Sequence, residues 1–404
     1  MITTINNKHK KLNVPNLRFP EFQGEWKEER LADIADLYKG TGISKDQLSD
    51  DGEPCILYGE LYTKYKSETI REVISKTNID NTKLVRSKAN DVIIPCSGET
   101  AEDIATARCV LNGNILLGGD LNIIRLHGYD GAFMSYQLNG RRKYDIAKVA
   151  QGVSVVHLYG EHLKGVKTIN PCLEEQKKIA KLLSLLDERI ATQNKIIDKL
   201  QSLIKGINQR VFMNSGNNYK LGEICEIRSG YSGSQLLSKK GLKVSRIETI
   251  SGHKVNMERV GYVAPFESSE NYRLRVGDIL FSNINSVEYI GNTAFIDKDY
   301  DLYHGMNLLR LTPNHMVVIP FYLYLLLNTN RMLNRFKAVC NKAVSQASIN
   351  QTELGKTVVQ IPPIKTQEQI CELYQALYTK LETESHTKSL FQNQKQYLLR
   401  QMFI

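Results

Sequence analysis

The side chains best suited to chemistry fall into two matching sets. The first set begins with Lys39 and Thr41 in the loop Tyr38-Lys39-Gly40-Thr41. Arg141, Arg142, Lys143 and Lys148 lie on or just before a predicted helix, and Gln151, Ser154 and His157 occupy the loop after it. The second set begins with Ser229, Tyr231 and Ser232 in Arg228-Ser229-Gly230-Tyr231-Ser232. Arg331, Arg335 and Lys337 lie on a predicted helix, followed by Lys342, Ser345, Gln346 and Asn350. Loops of this composition suit recognition of nucleic acid. Arg, Lys, Asn, Gln, Ser and Thr can hydrogen-bond base edges, and basic side chains neutralise phosphates. Asn283 and Asn285, on a further predicted loop, have the same chemistry.

Catalytic signatures are missing from the motifs that would carry them. An amino-methyltransferase of DNA needs Asn or Asp before Pro-Pro and an aromatic after it, yet Pro362-Pro363 lies between Ile361 and Ile364. Gly118-Gly119-Asp120 has the wrong spacing for a cofactor-cradling loop. Gly355-Lys356-Thr357 matches the end of a P-loop, but the glycine required five residues earlier is Asn350. His157 and His162 have no Cys or carboxylate at metal-ligand spacing. The seven cysteines are scattered without a C-x-x-C pair, which reads as reduced thiols rather than a disulfide frame or zinc site. A net charge of +10, from 53 basic and 43 acidic residues, favours a polyanionic partner. The start of the chain lacks the apolar core of a signal peptide, and the apolar run Met316 to Leu327 is shorter than the roughly 20 residues of a membrane span. The expectation is a cytoplasmic, non-catalytic binding protein with no metal or cofactor of its own and no membrane association; the alternatives are a duplicated DNA methyltransferase or nuclease with unrecognised motifs, and a coiled-coil scaffold that does not bind DNA.

Two long helices must position these loops. Glu174 to Phe212 contains no Pro, and its one Gly is Gly206. Ile179, Leu182, Leu186, Ile190, Ile197, Leu200, Ile204, Ile207 and Val211 recur at steps of three, four or seven, which is a coiled-coil seam. At 1.5 Å per residue such a helix is about 57 Å long and needs a partner. The chain supplies one, because Gln176 matches Gln367 and Ile179 matches Ile370, an offset of 191 residues. The second seam has a polar middle, Glu384, Lys388 and Lys395, which points to looser packing or to docking of another subunit there.

The repeat extends beyond the helices. LADIADLYKGTGISKDQL is answered by LGEICEIRSGYSGSQLL, with Gly230 on Gly40; KANDVIIPCSG is answered by LRVGDILFSNI, with Asp278 on Asp91. Each copy has apolar runs of strand length, then one predicted helix (GAFMSYQLNGRRKYDIAKVA or IPFYLYLLLNTNRMLNRFKAVC), a polar loop and a last strand. An arm with Pro15, Pro20 and Trp26 is expected to pack on the first copy, and Asn214 to Asn218 reads as a linker. The fold class is therefore α+β, with two pseudo-symmetric mixed α/β domains and two long helices in an antiparallel coiled coil. The expected boundaries are 1–170, 171–213, 214–361 and 362–404.

The arm NLRFPEFQGEWKEERLADI, the duplicated unit, the Pro-x-x-x-x-Gln start of each long helix and the ending LLRQMFI together resemble the specificity subunit of type I restriction–modification systems. The resemblance implies two target recognition domains, each reading half of a bipartite sequence in double-stranded DNA, with the helices setting the spacer. It also implies assembly with two methyltransferase subunits and two restriction subunits, to which S-adenosylmethionine, ATP and Mg would belong. Its pattern Gly-Ser/Thr-x-x-x-His-Leu is approached by GVSVVHLYGEHL in the first copy. The second copy, KAVSQASINQTEL, has neither the Gly nor the His, so a different backbone path is expected there.

Overall fold

A computed structural model describes residues 13–404 apart from 81, 153–154, 213–215, 343–345 and the side chain at 209. It separates into two compact units. One runs to Lys195 and includes Ser385–Ile404; the other is Ile196–Glu384.

The first unit is built on an antiparallel sheet in the order Ala35–Lys39, Leu121–Leu126, Asp91–Pro95, Arg108–Val110, with Thr69–Ile70 added in parallel at the edge. The middle strand Asp91–Pro95 is buried throughout, because both faces of the sheet are covered. Val92 and Ile94 join one apolar cluster and Ile93 another, as the two-residue alternation of a strand requires. The second unit repeats the sheet with Cys225–Ser229, Leu309–Pro313, Ile279–Phe281 and Thr293–Phe295, also antiparallel.

Local devices recur at matched positions. Asp91 and Asp278 are both buried and accept a backbone N–H three residues back, from Lys88 (2.7 Å) and Arg275 (2.8 Å). The strand Lys27–Arg30 pairs with Lys167–Asn170 in one unit, and Asn217–Lys220 pairs with Val358–Ile361 in the other. Asn217 and Asn218, read as linker from composition, are therefore strand, since backbone pairing overrides a polar composition. Of the rest of that expected linker, Gly216 is a bend with φ +115° and 214–215 lie outside the described residues. In the arm, Trp26 is buried edge-on against Phe133, and the Arg18 guanidinium binds the Glu175 carboxylate.

Each single domain helix expected from the sequence is two. Gly131–Asn139 ends at Gly140, and a new helix runs Lys143–Val149. Pro320–Leu327 is followed by Asn330–Val339, which starts where the Thr329 hydroxyl accepts the Met332 N–H. A glycine after a last turn and a threonine N-cap are the usual stop and start signals, and both stood inside the apolar pattern.

The long helices are Leu173–Val211 and Ile364–Met402. In the first unit Ile179, Leu183 and Leu186 share a cluster with Leu398, Met402 and Phe403. In the second, Ile204, Ile207 and Val211 share one with Ile370, Tyr374 and Leu377. The beginning of each helix thus meets the end of the other, the antiparallel sense. Both helices start with the same tie. Gln176 accepts from Asp130 N (2.9 Å) and donates to Pro171 O (2.8 Å); Gln367 accepts from Ile319 N (2.8 Å) and donates to Pro362 O (2.8 Å).

The polar middle of the second seam is neither loose nor open at Lys395. This ammonium is buried in the first unit between Asp187 (2.6 Å) and Glu68 (2.5 Å), with Tyr136 donating to Asp187 (2.6 Å). Burial opposes the charge on Lys395, but the two carboxylates outweigh it and hold its pKa above the ordinary lysine value.

Candidate nucleic-acid interface

In the first unit the strand Ala35–Lys39 ends at Gly40, where a β-carbon would lie 2.0 Å from the Gly118 carbonyl oxygen. Only glycine lets the loop run this close. Gly40 N donates to Leu121 O (2.9 Å) and Thr41 N to Leu117 O (3.2 Å). That approach sets the Lys39 ammonium 4.0 Å from Asp120, whose other oxygen accepts from Ser97 (3.2 Å). Ser97 pairs across strands with His157, while Gln151 and His157 exchange two backbone hydrogen bonds (2.9 and 2.7 Å). Buried Asn122 donates to Leu158 O (2.9 Å) and locks the hairpin down. Lys39, Thr41, Gln151 and His157 are thereby gathered at one edge of the sheet, all exposed. Lys148, also exposed, is in the last turn of the helix just before Gln151, whereas Lys143 at its start is half-buried. Ser154 lies outside the described residues.

Arg141 and Arg142 have other work. Arg141 donates to Arg400 O (2.7 Å) and Arg142 to Ile404 O (3.4 Å), so both engage the C-terminal end of the second long helix. Cations suit that end, where carbonyls lack helical partners and the helix dipole is negative. These two arginines, expected from the sequence as DNA contacts, thus make intramolecular contacts in the structure. Sequence reasoning missed Ser97 and Asp120, together with Tyr159, whose exposed ring stacks beside His157. The available signal was Gly-Gly-Asp at the turn, where Asp120 takes φ +57°.

The second unit uses the same plan. A β-carbon on Gly230 would meet the Gly305 carbonyl oxygen at 1.8 Å, and Tyr231 N donates to His304 O (2.9 Å). Asn307, the counterpart of Asp120, also has positive φ (+65°). Among the described residues, the strands flanking the loop that departs in sequence keep a comparable pairing. Asn341–Lys342 and Ala347–Ser348 form a hairpin docked on Ile284–Asn285, as the first hairpin docks on Ser97–Gly98. This pairing forms without the Gly or the His.

Lys342 and Gln346 are exposed on that hairpin, and Ser345 lies outside the described residues. Ser229 lines a recess of about 360 Å³ with Arg228, Asn271, Arg310 and Gln351. His304 borders it; burial, with Arg310 adding, pulls this imidazole down to about 4, so it is neutral at pH 7. Ser232 lines a larger cavity of about 490 Å³ with Ser234, Gln235, Arg246, Glu248 and Asn307. These donors and acceptors were not singled out from the sequence, because nothing in their spacing marks them as neighbours.

Three further candidates make contacts within the fold. Tyr231 stacks flat on Phe266, with ring centroids 3.9 Å apart. Asn350 caps the helix Gln351–Gly355, accepting from Glu353 N (2.8 Å). Arg335 donates to Val358 O (2.5 Å). On the same helix Lys337 is half-buried and Arg331 exposed. Asn283 donates to Ile349 O (3.3 Å) and so positions the hairpin, while Asn285 lines a small cavity of about 150 Å³.

The family described as "Type I restriction modification DNA specificity domain" matches residues 23–202 and again 215–390. The chain belongs to this family. It is a non-catalytic DNA-recognition subunit of the type I restriction–modification class. Over 188 residues it is 38% identical to a Methanocaldococcus jannaschii protein named provisionally as the MjaX specificity subunit; the match spans 46% of this chain and 44% of that relative. It is 24% identical to the type I restriction enzyme MjaVIII specificity subunit of the same organism, over 95% of this chain and 92% of the relative. The crystal structure of a type I restriction–modification S subunit from M. genitalium shares the fold, with a TM-score of 0.63 at 17% identity over 97% of this chain and 99% of that one. No helix among the described residues is long and apolar enough to cross a membrane.

Proposed function

We propose that each unit reads one half of a bipartite site in double-stranded DNA and that the two long helices set the number of base pairs between the halves. The first half-site is read through Lys39, Thr41, Lys148, Gln151 and His157, with Lys39 and Lys148 serving phosphates. The second is read through Ser229, Ser232, Lys342 and Gln346, with the polar side chains lining the adjoining cavities. Two methyltransferase subunits methylate adenine at the site so chosen. Two restriction subunits act from the same complex. S-adenosylmethionine, ATP and Mg belong to those partners, and the assembly works in the cytoplasm.

The observation that carries this reading is the shared loop platform. Gly40 and Gly230 press their loops against matching carbonyls, and each platform carries a docked hairpin, yet the exposed side chains differ between the copies. A common scaffold bearing unlike polar loops is what two unlike half-sites require. Exchanging residues 15–165 for those of another such subunit is expected to change one half of the methylated sequence in host DNA; a change in both halves refutes the assignment. Inserting residues near Lys199 is expected to lengthen the gap, and an unaltered gap refutes the spacer role.

A further inference from the structure

Position for position, the two units differ in how the long helices are seated. In the first, Tyr136, Asp187 and Lys395 meet, with Glu68 completing the set. The offset of 191 places Tyr378 on Asp187 and Ile204 on Lys395. The shared glutamine tie places Ile319 on Asp130, and hence Leu325 on Tyr136. Leu325, Ile204 and Tyr378 are all members of or packed against one apolar cluster. The same seat is ionic in one unit and apolar in the other.

We infer that this difference is a pairing code: the seat of the first repeat accepts a helix end carrying Lys395, supplied by the second repeat, and rejects the end of a second copy of the first repeat, which carries Ile204. If two first repeats paired, each would bury Glu68 and Asp187 against Ile204, with Arg108 left to face both carboxylates. If two second repeats paired, Lys395 would be buried against Tyr378 with no carboxylate. Either arrangement leaves an uncompensated buried charge, whereas in the heterotypic pair Lys395 and the buried Arg108 together balance Glu68 and Asp187. The apolar ends of the two seams have the same period and would not discriminate in this way by packing alone. The inference stands on the seat itself and does not depend on how DNA is read.

The test keeps every residue of the protein. A protease site introduced at 213–215 allows the folded chain to be cut into its two repeats, which are unfolded together in denaturant, refolded, and assigned by native mass spectrometry. Heterotypic pairs are expected to exceed either homotypic pair by about a hundredfold or more. In Lys395→Ile the preference should collapse, and homotypic pairs of the second repeat should appear. Glu68→Gln with Asp187→Asn, which keeps the shape and removes the negative charge, should release homotypic pairs of the first repeat. A statistical mixture from the unaltered protein overturns the inference. So does exclusive heterotypic pairing in both variants, since that would assign the preference to packing.

Discussion

The two repeats agree in framework and disagree at two places, the loops and the seat of the helices. Where the chain must turn, tie or approach closely, the same devices return: Asp91 and Asp278, Gln176 and Gln367, Gly40 and Gly230. Each satisfies a backbone group or clears a carbonyl, and such demands come from the fold rather than from any ligand. The loops differ because they face outward. The seat differs although it faces inward, with an ionic set around Lys395 in one unit and Ile204, Leu325 and Tyr378 in the other. Buried charge is a poor source of stability, since an apolar seat does as well at lower desolvation cost. Its presence on one side only therefore points to a role in deciding what pairs with what.

The largest expected effect breaks that contrast. Lys395→Ile leaves Glu68 and Asp187 buried together and should destabilise the first unit by about 3–5 kcal/mol. Trp26 is the only tryptophan and is packed in the same cluster as Leu398 and Met402, so its fluorescence in a denaturant titration reports this unit directly. A midpoint unchanged from the unaltered protein would show the ionic set to be dispensable.

A smaller pair of changes sharpens the agreement. Gln176→Leu orphans Asp130 N and Pro171 O, and Gln367→Leu orphans Ile319 N and Pro362 O together with the weaker acceptor Val317 O (3.1 Å). Each orphaned buried group costs about 1–3 kcal/mol, so the two variants should lose similar stability, each in its own unit. Hydrogen exchange resolved by segment can tell the units apart. Loss confined to one variant would mean that the two ties are not equivalent.

How much of this was legible in the sequence follows from what each feature depends on. The repeat, the sheet strands and the long helices rest on apolar periodicity and on residues at a fixed offset, which are local in the chain. The helix breaks at Gly140 and Thr329 were local too, but an apolar pattern running through them masked the punctuation. The site was harder. Gly40 and Gly230 were readable as matching glycines, but their need for close approach depends on Gly118 and Gly305, far along the chain. Arg141 and Arg142 carry the composition of a phosphate contact, and only the arrival of residues 400–404 shows them occupied by a helix end. Lys395 was read as a defect in a seam because Glu68, which explains it, lies 327 residues away.

The loops provide the next contrast. Gln151→Ala should relax discrimination in the half-site of the first unit, and Gln346→Ala in that of the second, each by about 1–3 kcal/mol if a base contact is lost. Binding to duplexes altered in one half at a time separates the two. Lys39→Ala should instead weaken binding to all sequences alike and lower the salt dependence, as loss of a phosphate contact does. Relaxation in both halves from a single glutamine variant would contradict the division of labour between the units.

The smallest effect is the dependence of the ionic seat on alkaline pH. Lys395 is held above the ordinary value of 10.5 in the folded protein, so folding favours its protonated form. A raised lysine contributes stability that is fully present below its unfolded pKa and is lost as pH rises through the folded one. The stability difference between the unaltered protein and Lys395→Ile, read through Trp26, should hold steady from neutral pH to about 10 and then shrink by up to roughly 1.4 kcal/mol per pH unit. Tyr136, which donates to Asp187, is pushed well above the ordinary tyrosine value by burial and by that carboxylate, and so stays protonated through this range. The second unit, with Ile204 at the equivalent seat, has no ammonium to lose there. A difference that shrinks equally for both units would remove the ionic seat as its cause, and one that shrinks below about pH 9 would mean that Glu68 and Asp187 do not hold the Lys395 proton.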